Sequence, residues 1–236
     1  TQSWHTPELP GFVALRASNA PVVGMQTGIF SFDPVAGTFQ RLLPHDARDS
    51  RFNDATVDAG GRLWASTMAL QAEAGRAAIH LVRPDLQLDT VVDGLAIPNG
   101  MAVDLKCGRL LYSDSHPRSQ RIWSMTLSED GRPNGGAVPF ASTESLPGRP
   151  DGAALSVDGS YWIAGVDGGE LYVFDRDGRL DATVPVPFPE PTKICFFGED
   201  GRRIAVTSKL AGEYGGRLAF SQVPPDRPAG MVQPYW

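Results

Sequence analysis

The sequence predicts an all-β fold, and within that class a β-propeller. The chain holds 26 glycines and 20 prolines among 236 residues, a composition typical of many short strands joined by tight turns. No long segment shows the periodicity of an amphipathic helix. One pattern of entrance loop, apolar strand, polar turn and second apolar strand recurs five times along the chain.

The five repeats begin at residues 11, 53, 99, 151 and 192, so successive repeats start 42, 46, 52 and 41 residues apart. Their paired strands are predicted at 11–15 with 22–25, 53–57 with 62–68, 99–103 with 109–115, 151–155 with 160–165, and 192–197 with 203–208. Further strand-like runs lie at 28–33, 39–43, 78–82, 88–92, 170–174 and 182–186. Four strands in about 45 residues are the signature of a propeller blade, whereas a β-sandwich needs no such regular unit. We therefore expect a single propeller domain over residues 1–236.

Composition and charge exclude several classes of partner. The formal net charge is -6 and no basic run is present, so we expect no nucleic-acid binding. No apolar run approaches the roughly 18 residues that cross a bilayer, and no signal peptide is visible, so we expect no membrane insertion. Cys107 and Cys195 have no nearby cysteine partner. Two free thiols in a reducing compartment are expected, which indicates a cytoplasmic protein.

Propeller geometry predicts which distant residues meet. The innermost strand of each blade starts at one rim of the central channel, and the second strand is antiparallel and returns to that rim. The predicted mouth therefore collects the residues just before the innermost strands, which are Asn53, Asn99, Asp151 and Thr192. It also collects the ends of the second strands, which are Met68, Asp114, Ser115, His116, Val166, Asp167, Ser208 and Lys209.

Two carboxamides and one carboxylate at such a mouth are hard oxygen donors. Donors of this kind suit Ca²⁺, Mg²⁺ or Mn²⁺, and a mixed oxygen set also holds Zn²⁺. The alternative is that Asn and Asp stand at strand entrances because they make Asx turns, and Asn-Gly at 99–100 and Asp-Gly at 151–152 are common turn dipeptides. The spacing of these residues leaves both interpretations open.

The sequence motifs around these residues are more specific evidence of function than the spacing of the residues. They include Arg-Phe-Asn-Asp at 51–54, Ile-Pro-Asn-Gly at 97–100, Tyr-Ser-Asp-Ser at 112–115, Pro-Asp-Gly at 150–152, Pro-Thr-Lys-Ile at 191–194 and Gly-Gly-Arg-Leu at 215–218. In this order they closely resemble the gluconolactonase / senescence-marker-protein (regucalcin-like) family over nearly the whole chain.

The resemblance implies a six-bladed propeller of the lactonase type, with one divalent cation in the channel mouth. The family's metal-binding asparagines match Asn53 and Asn99, and its metal-binding aspartate, also the proposed catalytic base, matches Asp151. Its substrate-contacting arginine matches Arg51.

Three more residues are candidates for substrate binding. The loop at 69–76 is expected to lie over the mouth as a lid, where some relatives place an acidic sugar-binding residue and this chain has Gln71, with Glu73 two positions on. His116 is the one histidine predicted at the mouth, in a hydrogen-bonding role at the rim.

The chain also departs from the family pattern. The family's fourth metal ligand is a glutamate in a Gly-Glu-x-Pro motif near the start of the first blade, and no such motif occurs here. Residues 1–6 resemble the last strand of that first blade, so the sequence starts about one blade late and shows about five blades.

The activity that follows is the opening of a small-molecule sugar lactone by metal-activated water. The cation acts as a Lewis acid and lowers the pKa of a water molecule, and Asp151 takes the proton or, alternatively, only holds the metal. Two other functions fit the same site: a non-catalytic Ca²⁺-binding or interaction propeller, and a metal-dependent hydrolase of aryl esters or phosphotriesters.

Overall fold

The computed structural model describes residues 2–18, 20–45, 49–104, 106–210, 212 and 216–236. These residues form nineteen β-strands in five sheets and no helix, and each strand is hydrogen-bonded to the next one in sequence within its sheet.

The five sheets follow one another along the chain. The first contains β1 (Phe12–Leu15), β2 (Pro21–Gly24), β3 (Gly28–Asp33) and β4 (Thr38–Pro44), and the second contains β5 (Ser50–Val57), β6 (Leu63–Ala69), β7 (Ala77–Val82) and β8 (Leu88–Leu95). The third contains β9 (Pro98–Asp104), β10 (Arg109–Asp114), β11 (Arg121–Thr126) and β12 (Val138–Ser142). The fourth contains β13 (Arg149–Leu155), β14 (Tyr161–Val166), β15 (Glu170–Phe174) and β16 (Leu180–Pro185), and the last contains β17 (Pro191–Phe197), β18 (Arg203–Ser208) and β19 (Leu218–Gln222).

Each sheet is one propeller blade, so the predicted all-β propeller with five visible blades is confirmed. The runs predicted at 28–33 and 170–174 coincide with β3 and β15. The last blade has three strands within the part of the chain that the structure describes.

The chain forms two compact units. The first consists of Thr1–Pro98 with Pro234–Trp236 and carries two blades, and the second consists of Asn99–Gln233 and carries three. In the first unit β1 packs against β5 over a core that includes Phe12, Phe52 and Trp236. In the second unit β13 contacts both β10 and β17. No helix in the described ranges is long and apolar enough to cross a membrane.

Aspartates at the ends of strands explain why the hairpins form where they do. Asp58 is buried, and its carboxylate accepts hydrogen bonds from the backbone N–H groups of Gly60 (2.8 Å) and Arg62 (3.1 Å). Asp104 and Asp175 accept equivalent bonds from the residues that follow them. Each carboxylate satisfies turn amides that would otherwise lack a partner, which fixes the turn and hence the strand register.

The predicted position of the candidate ligands relative to the strands is wrong. Asn53, Asn99, Asp151 and Thr192 lie inside β5, β9, β13 and β17, not on loops before them. Proline and glycine beside these residues favoured a loop, but proline is accommodated at the first residue of a strand and an extra residue is absorbed by a bulge.

Three of these strands are bulged at the candidate residue. In β5 the pairing passes from Phe52 opposite Thr67 to Ala55 opposite Ala65, so two residues stand against one. The pairing shifts in the same way across Asp151 in β13 and across Thr192 in β17. A bulge bends the strand and re-aims a side chain, which is a recurrent device beside functional sites.

The two chain ends also bear on the sequence predictions. Residues 2–6 form no strand, which contradicts the strand predicted at 1–6, and Thr1 lies outside the described residues. Instead of joining a sheet, Trp4 packs edge-on against Phe32, with ring centroids 5.1 Å apart. Of the Gly-Gly-Arg-Leu motif at 215–218, Gly215 also lies outside the described residues, and Leu218 begins β19.

Gly100 allows two blades of the second unit to approach closely. Its φ is +61°, and its carbonyl accepts a 2.5 Å hydrogen bond from the Tyr161 hydroxyl. A Cβ atom at this position would lie 2.4 Å from the Tyr161 hydroxyl oxygen and 2.9 Å from the Asp151 carbonyl oxygen. Glycine is therefore required here both for its conformation and for the space it leaves.

His80 is a buried histidine in the first unit. Its ring nitrogens lie 2.9 Å from the Thr67 hydroxyl and 3.1 Å from the Thr90 hydroxyl, and the His45 ring is 6.2 Å away. Burial, with a smaller contribution from the charge of His45, lowers the pKa of His80 from 6.5 to about 4. The folded protein therefore holds this imidazole neutral at pH values where the unfolded chain protonates it.

We expect Gly100→Ala to destabilise the protein by about 3 kcal/mol, because the left-handed conformation costs roughly 1–2 kcal/mol and the clash adds a similar amount. The matched control is Gly94→Ala, where φ is +73° but no atom lies within 4 Å of the added carbon. This control should lose only about 1 kcal/mol. Urea denaturation measures both values, and equal losses would contradict the close approach at Gly100.

We expect acid to destabilise the protein partly through His80. Because folding lowers this pKa, the unfolded state binds the proton more tightly, and stability is lost as the pH falls from 6.5 towards 4. The loss from this one group is about 3 kcal/mol. In His80→Gln the difference between the free energies of unfolding at pH 7 and pH 4 should shrink by that amount, and His5→Gln, at an exposed histidine, is the control substitution. An unchanged pH dependence in His80→Gln would show that His80 titrates normally.

Candidate functional site

Asn99 is held by a serine at the end of the neighbouring strand. Both residues are buried, and Asn99 Nδ2 lies 2.9 Å from Ser115 Oγ. The Ser115 hydroxyl in turn donates to the carbonyl oxygen of Pro150. A hydroxyl has one proton and a carbonyl can only accept, so Ser115 must accept its bond from Asn99. The NH₂ group of Asn99 therefore faces Ser115, and its oxygen Oδ1 is turned away from it.

Asn53 is oriented by the same kind of acceptor in the first unit. Its Nδ2 donates to the carbonyl oxygen of Pro98 at 3.1 Å, and the buried Ser66 hydroxyl donates to the same oxygen at 2.9 Å. Because Pro98 O only accepts, the amide of Asn53 must present NH₂ to it and turn Oδ1 away.

The two arrangements share one feature of the sequence. Pro98 directly precedes Asn99, and Pro150 directly precedes Asp151. In each case the carbonyl that receives the hydrogen bonds belongs to the peptide group leading into the next candidate ligand. The orientation of one candidate ligand and the backbone position of the next are therefore set by the same oxygen.

Asp151 lies on the bulge of β13, between the strands that carry Asn99 and Thr192. On one side, a Cβ at Gly100 would meet the Asp151 carbonyl oxygen at 2.9 Å. On the other side, a Cβ at Gly152 would meet the Thr192 carbonyl oxygen at 2.7 Å. The second unit thus brings Asn99, Asp151 and Thr192 onto adjoining strands, while Asn53 belongs to the first unit.

A network of ion pairs lies beside Asp151. Arg149 Nε is 2.7 Å and Lys209 Nζ is 3.2 Å from the two carboxylate oxygens of Asp167, and Lys209 also pairs with Glu190 at 2.5 Å. Arg149 Nη1 donates to the carbonyl oxygen of Ser115 at 3.0 Å. Burial alone would raise the pKa of Asp167, but the hydrogen bonds from Arg149 and Lys209 outweigh it and hold that pKa below its usual value. The carboxylate is therefore a fixed anion that anchors Arg149 over Ser115.

Arg51 is half-buried against its own hairpin. Its Nη1 donates to the carbonyl oxygen of Phe52 at 2.9 Å, and its Nη2 lies 3.3 Å from the sulfur of Met68. The guanidinium is therefore positioned by the end of β6, the strand end that was predicted to reach the mouth.

The loop after β6 is tied down at its base. Leu70 N–H donates to the Asp49 carbonyl oxygen at 2.8 Å, and the Arg76 guanidinium pairs with Glu73 at 2.7 Å and with Asp49 at 3.9 Å. Gln71 and Glu73 are both exposed, and the Glu73 carboxylate bonds within its own loop. The lid role of this segment stays a prediction.

His116 lies in the turn that follows β10. Its backbone N–H donates to the Asp114 carboxylate at 3.1 Å, and its Nδ1 lies 3.2 Å from the backbone N–H of Arg118. A backbone N–H can only donate, so Nδ1 is the acceptor and the neutral ring carries its proton on Nε2. His116 can therefore offer a hydrogen-bond donor to a ligand through Nε2.

The oxygen donors fit a hard divalent cation. Amide and carboxylate oxygens are the ligand types that Ca²⁺, Mg²⁺ and Mn²⁺ prefer, and Asn99 and Asp151 carry such oxygens on adjoining strands of the second unit. In the described part of the chain, no three His, Cys, Asp or Glu side chains cluster as a metal site. Cys107 and Cys195 are both free, as predicted, and the structure places both at the surface.

Sequence reasoning named Asn53, Asn99 and Asp151 as candidate ligands but did not name the groups that contact them. Ser115 was expected near the mouth without a role, and Arg149 and Glu190 were not singled out. The signal that was present is the Pro-Asn-Gly and Pro-Asp-Gly pair at 98–100 and 150–152, in which a proline directly precedes Asn99 and Asp151.

The chain is similar to known proteins over most of its length. The family model described as SMP-30/Gluconolactonase/LRE-like region matches residues 1–209. The 6-deoxy-6-sulfogluconolactonase of Pseudomonas putida is 30% identical over 215 residues, which cover 90% of this chain and 73% of that protein. The pentonolactonase XacC of Haloferax volcanii is 28% identical over 180 residues, which cover 73% of this chain and 60% of that protein.

A solved structure shows the same fold. The calcium-binding protein regucalcin from Agrobacterium tumefaciens superposes with a TM-score of 0.86 at 24% identity, over 97% of this chain and 80% of that chain. With the family model spanning most of its length, the chain belongs to the SMP-30/gluconolactonase/LRE-like family.

Proposed function

We propose that this chain is a divalent-metal-dependent hydrolase that opens sugar lactones. The names of two relatives, a sulfogluconolactonase and a pentonolactonase, support a sugar lactone as the substrate class. The observation that carries the proposal is the orientation of Asn99, whose NH₂ group is bound by Ser115 so that its oxygen is the atom offered to a cation beside Asp151.

We assign one cation, Ca²⁺, Zn²⁺, Mn²⁺ or Mg²⁺, to Asn99 and Asp151; the family resemblance also predicts Asn53 as a ligand. When bound, such a cation supplies Lewis-acid polarisation of the ester carbonyl and acidifies a water molecule. The similar regucalcin structure is described as a calcium-binding protein, which supports a divalent cation as the cofactor.

Asp151 has two candidate roles. It either accepts the proton of the attacking water as a general base or only holds the cation. A carboxylate bound to a cation is a weakened base, because the positive charge stabilises its ionised form. The two roles predict different behaviour when the charge is removed and the shape is kept.

The remaining candidates orient the sugar. Arg51 offers a cationic donor next to Met68, His116 offers Nε2–H, and Gln71 and Glu73 lie on the exposed loop. Each of these groups suits a hydroxyl or ring oxygen of a polar substrate, and together they favour a sugar lactone over an apolar ester.

A non-catalytic Ca²⁺-binding propeller is the second candidate, because a similar structure is described as calcium-binding. The two functions are separated by stripping the protein of metal, reloading it ion by ion, and assaying a panel of sugar lactones beside a panel of aryl esters and phosphotriesters. Metal-restored lactone hydrolysis supports the proposal. Tight cation binding without turnover supports the second candidate, and turnover confined to the esters contradicts the lactone assignment.

We expect Asp151→Asn to lower kcat for the best lactone by at least about 100-fold, in the range found for loss of a general base. Bound cation, measured separately by elemental analysis, distinguishes the roles: retained metal with lost turnover assigns the base, and lost metal assigns the ligand. Asp177→Asn, on the exposed turn before β16, is the matched control and should keep both. If Asp151→Asn keeps both metal and full rate, neither role is correct.

A further inference from the structure

We infer that Ser115 is a positioning residue of the cation site: it fixes which end of the Asn99 amide faces the cation and ties that amide to the strand that carries Asp151. This inference rests on the proposed cation site. It concerns a residue that itself touches neither cation nor substrate.

The first step is the count of protons at Ser115. The hydroxyl donates its one proton to Pro150 O, so only a donor can occupy its acceptor side, and that donor is Asn99 Nδ2 at 2.9 Å. A flipped Asn99 would set its carbonyl oxygen against the serine lone pairs. Ser115 therefore excludes the amide orientation in which NH₂ would face a cation.

The second step is the coupling to Asp151. Pro150 O belongs to the peptide group that joins Pro150 to Asp151. The Ser115 hydroxyl therefore restrains both the side chain of Asn99 and the backbone at Asp151. Asn99 and Ser115 are 6% and 2% exposed, which leaves little access for water to replace either bond. Buried polar groups that lose a partner cost more than the bond itself contributes.

The third step is the anchoring of Ser115 from its other side. Arg149 donates to the Ser115 carbonyl oxygen at 3.0 Å while its Nε pairs with Asp167. Asp167 also binds Lys209, so the arginine is held at a fixed place. The backbone of Ser115 is therefore restrained, and its hydroxyl meets Asn99 with little freedom.

A second serine, inside β10 and two residues before Ser115, provides the contrast. Ser113 is fully buried, yet no hydrogen-bond partner for its Oγ lies among the residues that the structure describes. Burial of a serine at this end of β10 thus does not by itself create a bond to the neighbouring blade. The positioning role therefore depends on the place of the Ser115 hydroxyl between Asn99 Nδ2 and Pro150 O.

The test compares Ser115→Ala with Ser113→Ala, which removes the same atom two residues away. Isothermal titration of metal-stripped protein with Ca²⁺ and with Mn²⁺ measures cation affinity. Outer-shell partners of metal ligands typically contribute 10–100-fold in affinity, so we expect Ser115→Ala to bind at least about 10-fold more weakly and Ser113→Ala to bind normally. Ser115→Thr, which restores the hydroxyl, should recover most of the loss.

A second readout needs no metal. In the metal-free protein, NMR hydrogen exchange of the Asn99 side-chain NH₂ should be slow, and it should accelerate at least about tenfold in Ser115→Ala but not in Ser113→Ala. If Ser115→Ala and Ser113→Ala are alike in both readouts while the unsubstituted protein binds the cation, the positioning role is wrong and the cation site stands. If the unsubstituted protein binds no cation, the proposed function fails, and the role of Ser115 toward a cation fails with it.

Discussion

The orientation of the candidate ligands depends on two proline carbonyl oxygens. Pro98 O accepts hydrogen bonds from Asn53 Nδ2 and from the Ser66 hydroxyl. Pro150 O accepts one from the Ser115 hydroxyl, which in turn accepts one from Asn99 Nδ2. A carbonyl can only accept, so Pro98 O determines the orientation of the Asn53 amide directly, and Pro150 O determines that of the Asn99 amide through Ser115. The side-chain oxygens of Asn53 and Asn99 therefore follow from hydrogen-bond chemistry. If either carbonyl moved, an amide and the following ligand would move together.

The fold supplies those carbonyls through bulges and close approaches. Bulges across Asn53 in β5 and Asp151 in β13 place two residues against one on the partner strand, which frees the candidate side chain from the regular alternation. Gly100 removes the Cβ that would otherwise separate β9 from Asp151. Buried turn aspartates such as Asp58 hold the other end of the hairpins in register. Local turn chemistry thus fixes one end of these hairpins, while bulges and close packing shape the other end.

The sequence was sufficient for the fold class, because strands and turns are encoded locally, and it named three candidate oxygen donors that stay a prediction. Apolar runs separated by glycine turns gave β3 and β15 with their observed bounds. The loop assignment of Asp151 was wrong because Pro150 and Gly152 break the strand pattern while the bulge continues the strand. Ser115 and Arg149 could not be assigned, since their partners lie on other strands and depend on a register that only packing determines. The ion pair between Glu73 and Arg76 could not be assigned either, because it depends on the conformation of the loop after β6.

The most direct test of this account is anomalous diffraction from crystals of the protein soaked in Mn²⁺. The account predicts one strong peak within about 2.5 Å of Asn99 Oδ1 and of an Asp151 carboxylate oxygen, with Asn99 Nδ2 still bound to Ser115. A peak bound elsewhere on the chain, or an Asn99 amide that bonds Ser115 through its oxygen, would contradict it.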